Sequence, residues 1–172
     1  SDAFCKKLDD YLVNNYDADE VDRTGKIPPH HIEALKKLGL FNMKIPKEYG
    51  GLGFSQLAFT KAAIVVASHC GSLTAWMSAH QSIGVPQPLL LYGTDEQKKK
   101  HLPRFGKGEI SAFALTEETV GSDPAQMTVY AELSEDKSHY VLNGEKLWCT
   151  NGVKASVIIV MARTPDVEIK GK

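Results

Sequence analysis

Apolar residues recur at helical intervals through the first part of the chain. Phe4, Leu8 and Leu12, flanked by Tyr11, predict an amphipathic helix over 2–15. The polar run 17–26 that follows predicts a loop or ragged turn. Pro28 and Pro29 then open a second helix with an apolar stripe of Ile32, Leu35 and Leu38, and Gly39 supplies its stop. Residues 40–53 carry Pro46 and the cluster Tyr49-Gly-Gly-Leu-Gly53, the marks of an irregular connector. Ser55 can cap a helix running to about Ser68, and the apolar stretch from Leu73 to Ile83 predicts another. Leu89 to Tyr92 continues helical after the interruption at Pro86 and Pro88. Thr94-Asp-Glu-Gln97 matches a capping box that opens a last helix to about Leu102 or Phe105.

From Glu109 the pattern changes to that of strands. Segments 111–115, 127–134, 139–142 with 146–149, and 156–163 each carry strand character. Met127, Val129, Ala131 and Leu133 alternate with polar positions, whereas 157–161 is continuously apolar and is expected to be buried on both faces. Residues 135–138 and the pair Asn143-Gly144 are turn signals. The expected fold class is α+β: an N-terminal all-α helical bundle domain over 1–108, followed by an incomplete antiparallel β-barrel-like domain over 109–172.

Charge and composition narrow the functions open to such a chain. Its 172 residues hold 20 basic and 21 acidic side chains, a formal charge of −1, so neither nucleic acid nor an anionic membrane is an expected partner. Cys5, Cys70 and Cys149 show no CxxC spacing, which argues against a disulfide scaffold and a structural zinc site and favours a reducing compartment. No apolar run reaches the ~18 residues that a bilayer span requires. The histidines repeat at no metal-ligand spacing, Lys98 to Lys100 reads as a solvated helix face, and the glycines at 50–53 read as a structural turn, since no strand precedes them.

Two polar motifs stand out, Phe113-Ala-Leu-Thr-Glu-Glu-Thr-Val-Gly-Ser-Asp123 and Leu142-Asn-Gly-Glu-Lys-Leu-Trp-Cys-Thr-Asn-Gly152. In each, an apolar strand-like segment stops at hydroxyls, an acid and glycines, leaving backbone polar groups in need of partners. Gly121-Ser122 could bring backbone close to a phosphate. Trp148 and Thr150 alternate with Cys149 and are expected on one side of a strand, an aromatic face beside a hydroxyl that suits a flat heteroaromatic ring.

These motifs, together with Leu38-Gly-Leu40, Ile45-Pro-Lys-Glu-Tyr-Gly-Gly-Leu-Gly53, Gly93-Thr-Asp-Glu-Gln97 and His101-Leu-Pro103, resemble the acyl-CoA dehydrogenase family in order and spacing over nearly the whole chain. His80-Gln-Ser-Ile-Gly84 further resembles its long-chain and very-long-chain branch. The resemblance implies FAD-dependent oxidation of acyl-CoA thioesters to trans-2-enoyl-CoA in fatty-acid β-oxidation, with electrons passed to an electron-transferring flavoprotein. By the same resemblance Phe113, Leu115 and Thr116 face the flavin ring, Gly121 and Ser122 approach the pyrophosphate, and Ser122 also touches acyl-CoA. Trp148, Cys149 and Thr150 form a second flavin-contacting strip, with the Thr150 hydroxyl near flavin N5 and Trp148 against the ring system.

The family's catalytic base is a glutamate of a C-terminal helical domain with no counterpart in 1–172, so the chain is expected to be an N-terminal fragment, inactive alone. A homodimer or homotetramer in the complete protein, and a bacterial cytoplasm or mitochondrial matrix, also follow from the resemblance. The chain departs from the family pattern at Glu118, Thr119 and Val120, where a proline and a small residue are usual, which bears on cofactor affinity. Two other readings stand beside this one: an acyl-CoA oxidase-type flavoprotein, and a non-catalytic dehydrogenase-like assembly or scaffold protein.

Overall fold

A computed structural model describes residues 1–165, so the last stretch of the expected β-domain, 166–172, lies outside the described residues. A helical N-terminal part is followed by a partial β region. The helices are α1 (Asp2–Asn15), α2 (Ala18–Thr24), α3 (Pro29–Leu38), α4 (Gln56–His69), α5 (Gly71–Ser78), α6 (Pro86–Tyr92) and α7 (Asp95–Gly106). None is long and apolar enough to cross a membrane.

The predicted helical stripes are the buried ones. Leu8 and Leu12 of α1 meet Ala62 and Val66 of α4, and Leu35, Phe41, Met43, Leu73 and Met77 complete the main core. Burying each of the larger aliphatic side chains stabilises the fold by about 1.5–3 kcal/mol. A smaller core of Ile45, Val85, Leu102 and Phe105 joins α6 and α7 to the connector. The Thr94 capping box forms as expected, Thr94 Oγ1 accepting from Gln97 N and Gln97 Oε1 accepting from Thr94 N.

Three helical expectations need correction. The polar run 17–26 folds as α2, because Asp17 accepts the Glu20 amide at 2.9 Å and Gly25 closes the other end in the left-handed region. The stretch 73–83 is not one α-helix: α5 starts earlier, with the Cys70 sulfur accepting the Leu73 amide as its cap, and gives way to a π-helical segment, Ala79–Ile83. Pro86 opens α6 rather than interrupting it, since the first helical position needs no amide hydrogen. Residues 40–53 are the irregular connector that was expected, and a side chain at Gly51 would strike the Ile45 backbone.

The strands are β1 (Ser111–Ala114), β2 (Tyr130–Leu133), β3 (Tyr140–Asn143) and β4 (Val157–Val160). β2 and β3 form an antiparallel pair, whereas β1 and β4 run parallel, with Ser111 opposite Val157 and Ala114 opposite Val160. No strand forms over 146–149, where Trp148 has φ 55°, and Asn151 just beyond has φ 70°, values that extended backbone cannot take. The apolar run at β4 is buried on neither face: Val157 and Ile159 are half-buried against the smaller core, and the rest is half-buried or exposed. Ile158 is 41% and Met161 39% exposed, because β1 alone flanks β4 among the described residues.

Candidate functional site

β1 carries the first motif out of the core and ends in a tight turn. Ser111, Phe113 and Leu115 share one side of the strand by alternation. Beyond Thr116, Glu117 and Val120 exchange backbone hydrogen bonds of 3.0 and 3.2 Å, closing the turn. The Glu117 carboxylate folds back beneath it, buried, and accepts from Thr128 N at 2.6 Å, Thr128 Oγ1 at 2.7 Å and Val129 N at 3.0 Å. Lys146 Nζ completes the set, donating to Glu117 Oε1 at 2.7 Å and to the Leu115 carbonyl at 2.9 Å. Burial alone would push the Glu117 carboxyl up, but the bonds from Lys146, Thr128 and Val129 prevail and hold it at about 2.

This tether docks the second motif onto the first without a strand ladder. Leu147 N donates to the Thr116 carbonyl at 2.8 Å, and the chain then turns sharply, with Thr150 N donating to Trp148 O at 2.9 Å and Gly152 N to Cys149 O at 2.8 Å. The turn leaves Trp148 and Thr150 on one side, although the reason is the left-handed residues and not strand alternation. Cys149 points the other way, its Sγ 3.5 Å from the Phe113 carbonyl. Its thiol is partly buried.

The two motifs and the π-helical segment enclose a slot of about 190 Å³. Phe113, Leu115 and Thr116 border it on one side, and Trp148 and Thr150 on another. Five of the eight candidate residues are therefore brought together. Gly121 and Ser122 lie exposed in the loop beyond, where a side chain at Gly121 would meet nothing within 4 Å. Of the positions that depart from the family pattern, Val120 is buried, while Glu118 and Thr119 are exposed.

Ala79, Ile83 and Leu147 also border the slot and were not anticipated. The signal for the first two was His80-Gln81, a polar pair inside an apolar helical run. Both side chains are buried and hydrogen-bonded. Gln81 Nε2 donates to Leu40 O at 2.7 Å, and Gln81 Oε1 accepts from Lys44 N at 3.1 Å. His80 Nδ1 accepts from Ser111 N at 3.0 Å, so its proton sits on Nε2, which donates to Phe41 O at 2.8 Å. Burial pushes the imidazole down to about 4, outweighing the opposing bond to Phe41. The pair packs the helix rather than facing the slot.

The slot's chemistry is that of a binding surface. Its walls are apolar or aromatic, Trp148 is 87% exposed at the edge, and the Thr116 and Thr150 hydroxyls have no hydrogen-bond partner among the described residues. No acid or histidine borders it. At about 190 Å³ it admits a ring system or a short chain rather than a whole dinucleotide. A larger hollow of about 530 Å³ opens between α2, Trp76 and Lys154, but it holds none of the motif residues. No cluster of metal-ligating side chains occurs among the described residues.

Comparison with known proteins gives consistent matches. The sequence model described as acyl-CoA dehydrogenase, N-terminal domain, matches residues 2–109, and that of the acyl-CoA dehydrogenase middle domain matches 112–172. A probable acyl-CoA dehydrogenase of Mycobacterium tuberculosis, FadE10, is 49% identical over 168 residues, covering 98% of this chain and 26% of its own length. The mitochondrial very long-chain specific acyl-CoA dehydrogenase of Rattus norvegicus is 41% identical over 145 residues, or 84% of this chain and 22% of that protein. The chain thus spans about a quarter of these relatives. Among solved structures, the butyryl-CoA dehydrogenase of Megasphaera elsdenii superposes with a TM-score of 0.84 at 30% identity, covering 94% of this chain and 43% of that one. An acyl-CoA dehydrogenase of Bacillus anthracis complexed with FAD gives 0.81 at 34% identity, covering 95% and 28%.

Proposed function

Because the chain belongs to the acyl-CoA dehydrogenase family, we propose that it forms the flavin-holding front part of an enzyme that oxidises acyl-CoA thioesters to trans-2-enoyl-CoA with FAD. In this reading 1–108 is the N-terminal helical domain and 109–172 the first part of the middle β-domain. The observation that carries it is the slot itself, where residues from two motifs far apart in sequence meet around one small space.

The residues present fit a flavin ring. Phe113, Leu115 and Trp148 offer flat apolar contact, and the uncommitted hydroxyls of Thr116 and Thr150 offer hydrogen bonds at the rim. When bound, FAD supplies the hydride acceptor. The chain's part is to orient that ring, exclude water from one face and place hydroxyl donors where negative charge develops on reduction. Gly121 and Ser122, exposed beyond the turn, are assigned to the pyrophosphate, and Ser122 to acyl-CoA as well. Cys149 backs the second strip from behind. Glu117 is committed to Lys146 and the turn, so the base that takes the α-proton is not among the residues bordering the slot.

Acyl-CoA and an electron-transferring flavoprotein are the proposed partners, and a homodimer or homotetramer the proposed assembly. The mycobacterial and mitochondrial relatives support a bacterial cytoplasm or mitochondrial matrix. Structural likeness to a prolyl acyl carrier protein oxidase, TM-score 0.81 at 30% identity, keeps an oxidase as a second reading. Oxygen consumption with acyl-CoA by the complete enzyme separates the two. The test of the flavin site is a visible-absorbance titration of the purified chain with FAD, beside a Trp148→Ala/Thr150→Ala variant. A saturable shift that the variant loses supports the reading, and a folded chain with no shift overturns it.

A further inference from the structure

Behind the slot runs a buried polar chain whose own residues do not line it. Ser111, fully buried, is the hub. Its N–H donates to His80 Nδ1 at 3.0 Å, its Oγ accepts from Val85 N at 3.1 Å, and its carbonyl accepts from Asn151 Nδ2 at 3.2 Å. The outer ends are anchored too, His80 Nε2 donating to Phe41 O at 2.8 Å and Asn151 Nδ2 to Trp76 O at 3.0 Å. Since both neighbours of Nδ2 are carbonyls, the amide orientation of Asn151 is fixed by chemistry.

Each residue of this chain belongs to a different wall of the slot. His80 lies in the π-helical segment that presents Ala79 and Ile83, Ser111 starts the strand that presents Phe113 and Leu115, and Asn151 follows directly on Thr150. We propose that His80 and Asn151, joined through Ser111, are positioning residues that set the separation of the three walls and so the fit of a planar ring between them. The proposal rests on the slot being the ligand site.

Two backbone features point the same way. A π-helical turn is rare and gathers at functional sites, and this one presents His80 to β1 and Ala79 and Ile83 to the slot. Asn151 adopts φ 70°, a conformation asparagine tolerates better than most residues, and it spends both amide hydrogens on backbone of other elements. Its Oδ1 is buried with no partner, so the side chain is held by what it donates.

Cys149 makes the wall separation measurable without any ligand, because its Sγ sits between the second strip and the Phe113 carbonyl. Cys70, buried in the helical core, serves as the control. Alkylation of both thiols is followed by peptide mass spectrometry in the wild type, His80→Gln, His80→Asn and Asn151→Gly, with FAD titrations in parallel. His80→Gln can keep the donor to Phe41 but misplaces the acceptor for Ser111, whereas His80→Asn puts an oxygen where Nδ1 was. Asn151→Gly keeps the left-handed backbone and removes the amide, and it carries the test should His80→Gln fail to fold.

The expected result is a rise of about 10-fold in the Cys149 rate for His80→Gln and Asn151→Gly, with Cys70 unmoved and His80→Asn close to wild type. FAD binding should weaken by about 10-fold in the same two variants and recover in His80→Asn. An unchanged Cys149 rate overturns the proposal, as does a parallel rise at Cys70, which would mean general loosening. So does FAD affinity that stays constant while the walls part. A wild type that takes up no FAD defeats the flavin reading, and the alkylation ratios then decide the wall claim alone.

Discussion

Lys146 Nζ stands 2.7 Å from Glu117 Oε1 and 2.9 Å from the Leu115 carbonyl, so one side chain holds the end of the first motif to the start of the second. Both side chains are almost wholly removed from water, 9% and 4% exposed, which separates this pair from the ordinary surface bridges elsewhere on the molecule. Removing one partner strands the other.

Lys146→Met and Glu117→Gln should therefore each lower the thermal midpoint and weaken FAD binding by roughly 10-fold, because a small displacement of a ligand wall is costly. The double variant should lose no more than the worse single one, as expected for two groups acting as a unit. Thermal melts with FAD titrations check this. Additive losses would show that the pair does not act as a tether.

His80 predicts a pH dependence. Its folded value of about 4 lies below its ordinary 6.5, so the unfolded chain binds the proton more readily between those limits. The stability contribution is complete above pH 6.5 and is lost as the pH falls toward 4, by roughly 3 kcal/mol at most. Urea melts from pH 7 to pH 4 should show this slope in the wild type and a much flatter one in His80→Asn.

Glu117 adds a second acid transition at lower pH. With its carboxyl held at about 2 against an ordinary 4.5, its contribution is present above 4.5 and disappears as the pH falls toward 2. Glu117→Gln should shrink the dependence in that window, leaving the share of Asp136, whose carboxyl the Ser134 and Ser138 bonds also hold at about 2, and should leave the dependence near His80 in place. Acid titration followed by circular dichroism distinguishes the two.

Gly84 is required for space rather than for conformation. Its φ of −64° is open to any residue, yet a methyl group there would strike the His80 carbonyl and Ser111 Oγ. Gly84→Ala should cost about 1–3 kcal/mol and shift the His80–Ser111 contact. Gly25→Ala, where nothing lies within 4 Å, should be felt through its positive φ alone. Equal melting points for Gly84→Ala and the wild type would contradict the crowding argument.

Much of this was legible from residue order. The stripes of α1 and α3, the Ser55 cap of α4, the Thr94 capping box and the strand character of β1 follow directly from period and cap chemistry. Asp17 and Gly25 were visible as helix signals around α2, but a seven-residue helix with Val21 as its one buried side chain has almost no apolar period to detect. The π-helical segment is a tertiary outcome: His80 and Gln81 find their partners at Ser111, Phe41 and Leu40, far away in sequence.

The second motif shows the same limit from the other side. Its residue types announced a site, and Trp148 and Thr150 do reach the slot. The strand assigned to them did not form, because Lys146 and Leu147 satisfy their groups on Leu115, Thr116 and Glu117, after which the left-handed Trp148 and Asn151 end any ladder. Sequence pattern located the chemistry there and misjudged the backbone that delivers it.

The exposed indole of Trp148 gives the molecule a built-in optical probe. Of its two tryptophans, Trp76 of α5 is half-buried against the main core, while Trp148 stands in solvent at the rim of the slot. Long-wavelength emission from this chain therefore originates mainly at one position. Any aromatic guest that settles there should darken it, and a Trp148→Phe chain should remain unresponsive, so occupancy can be followed by intrinsic fluorescence without a label.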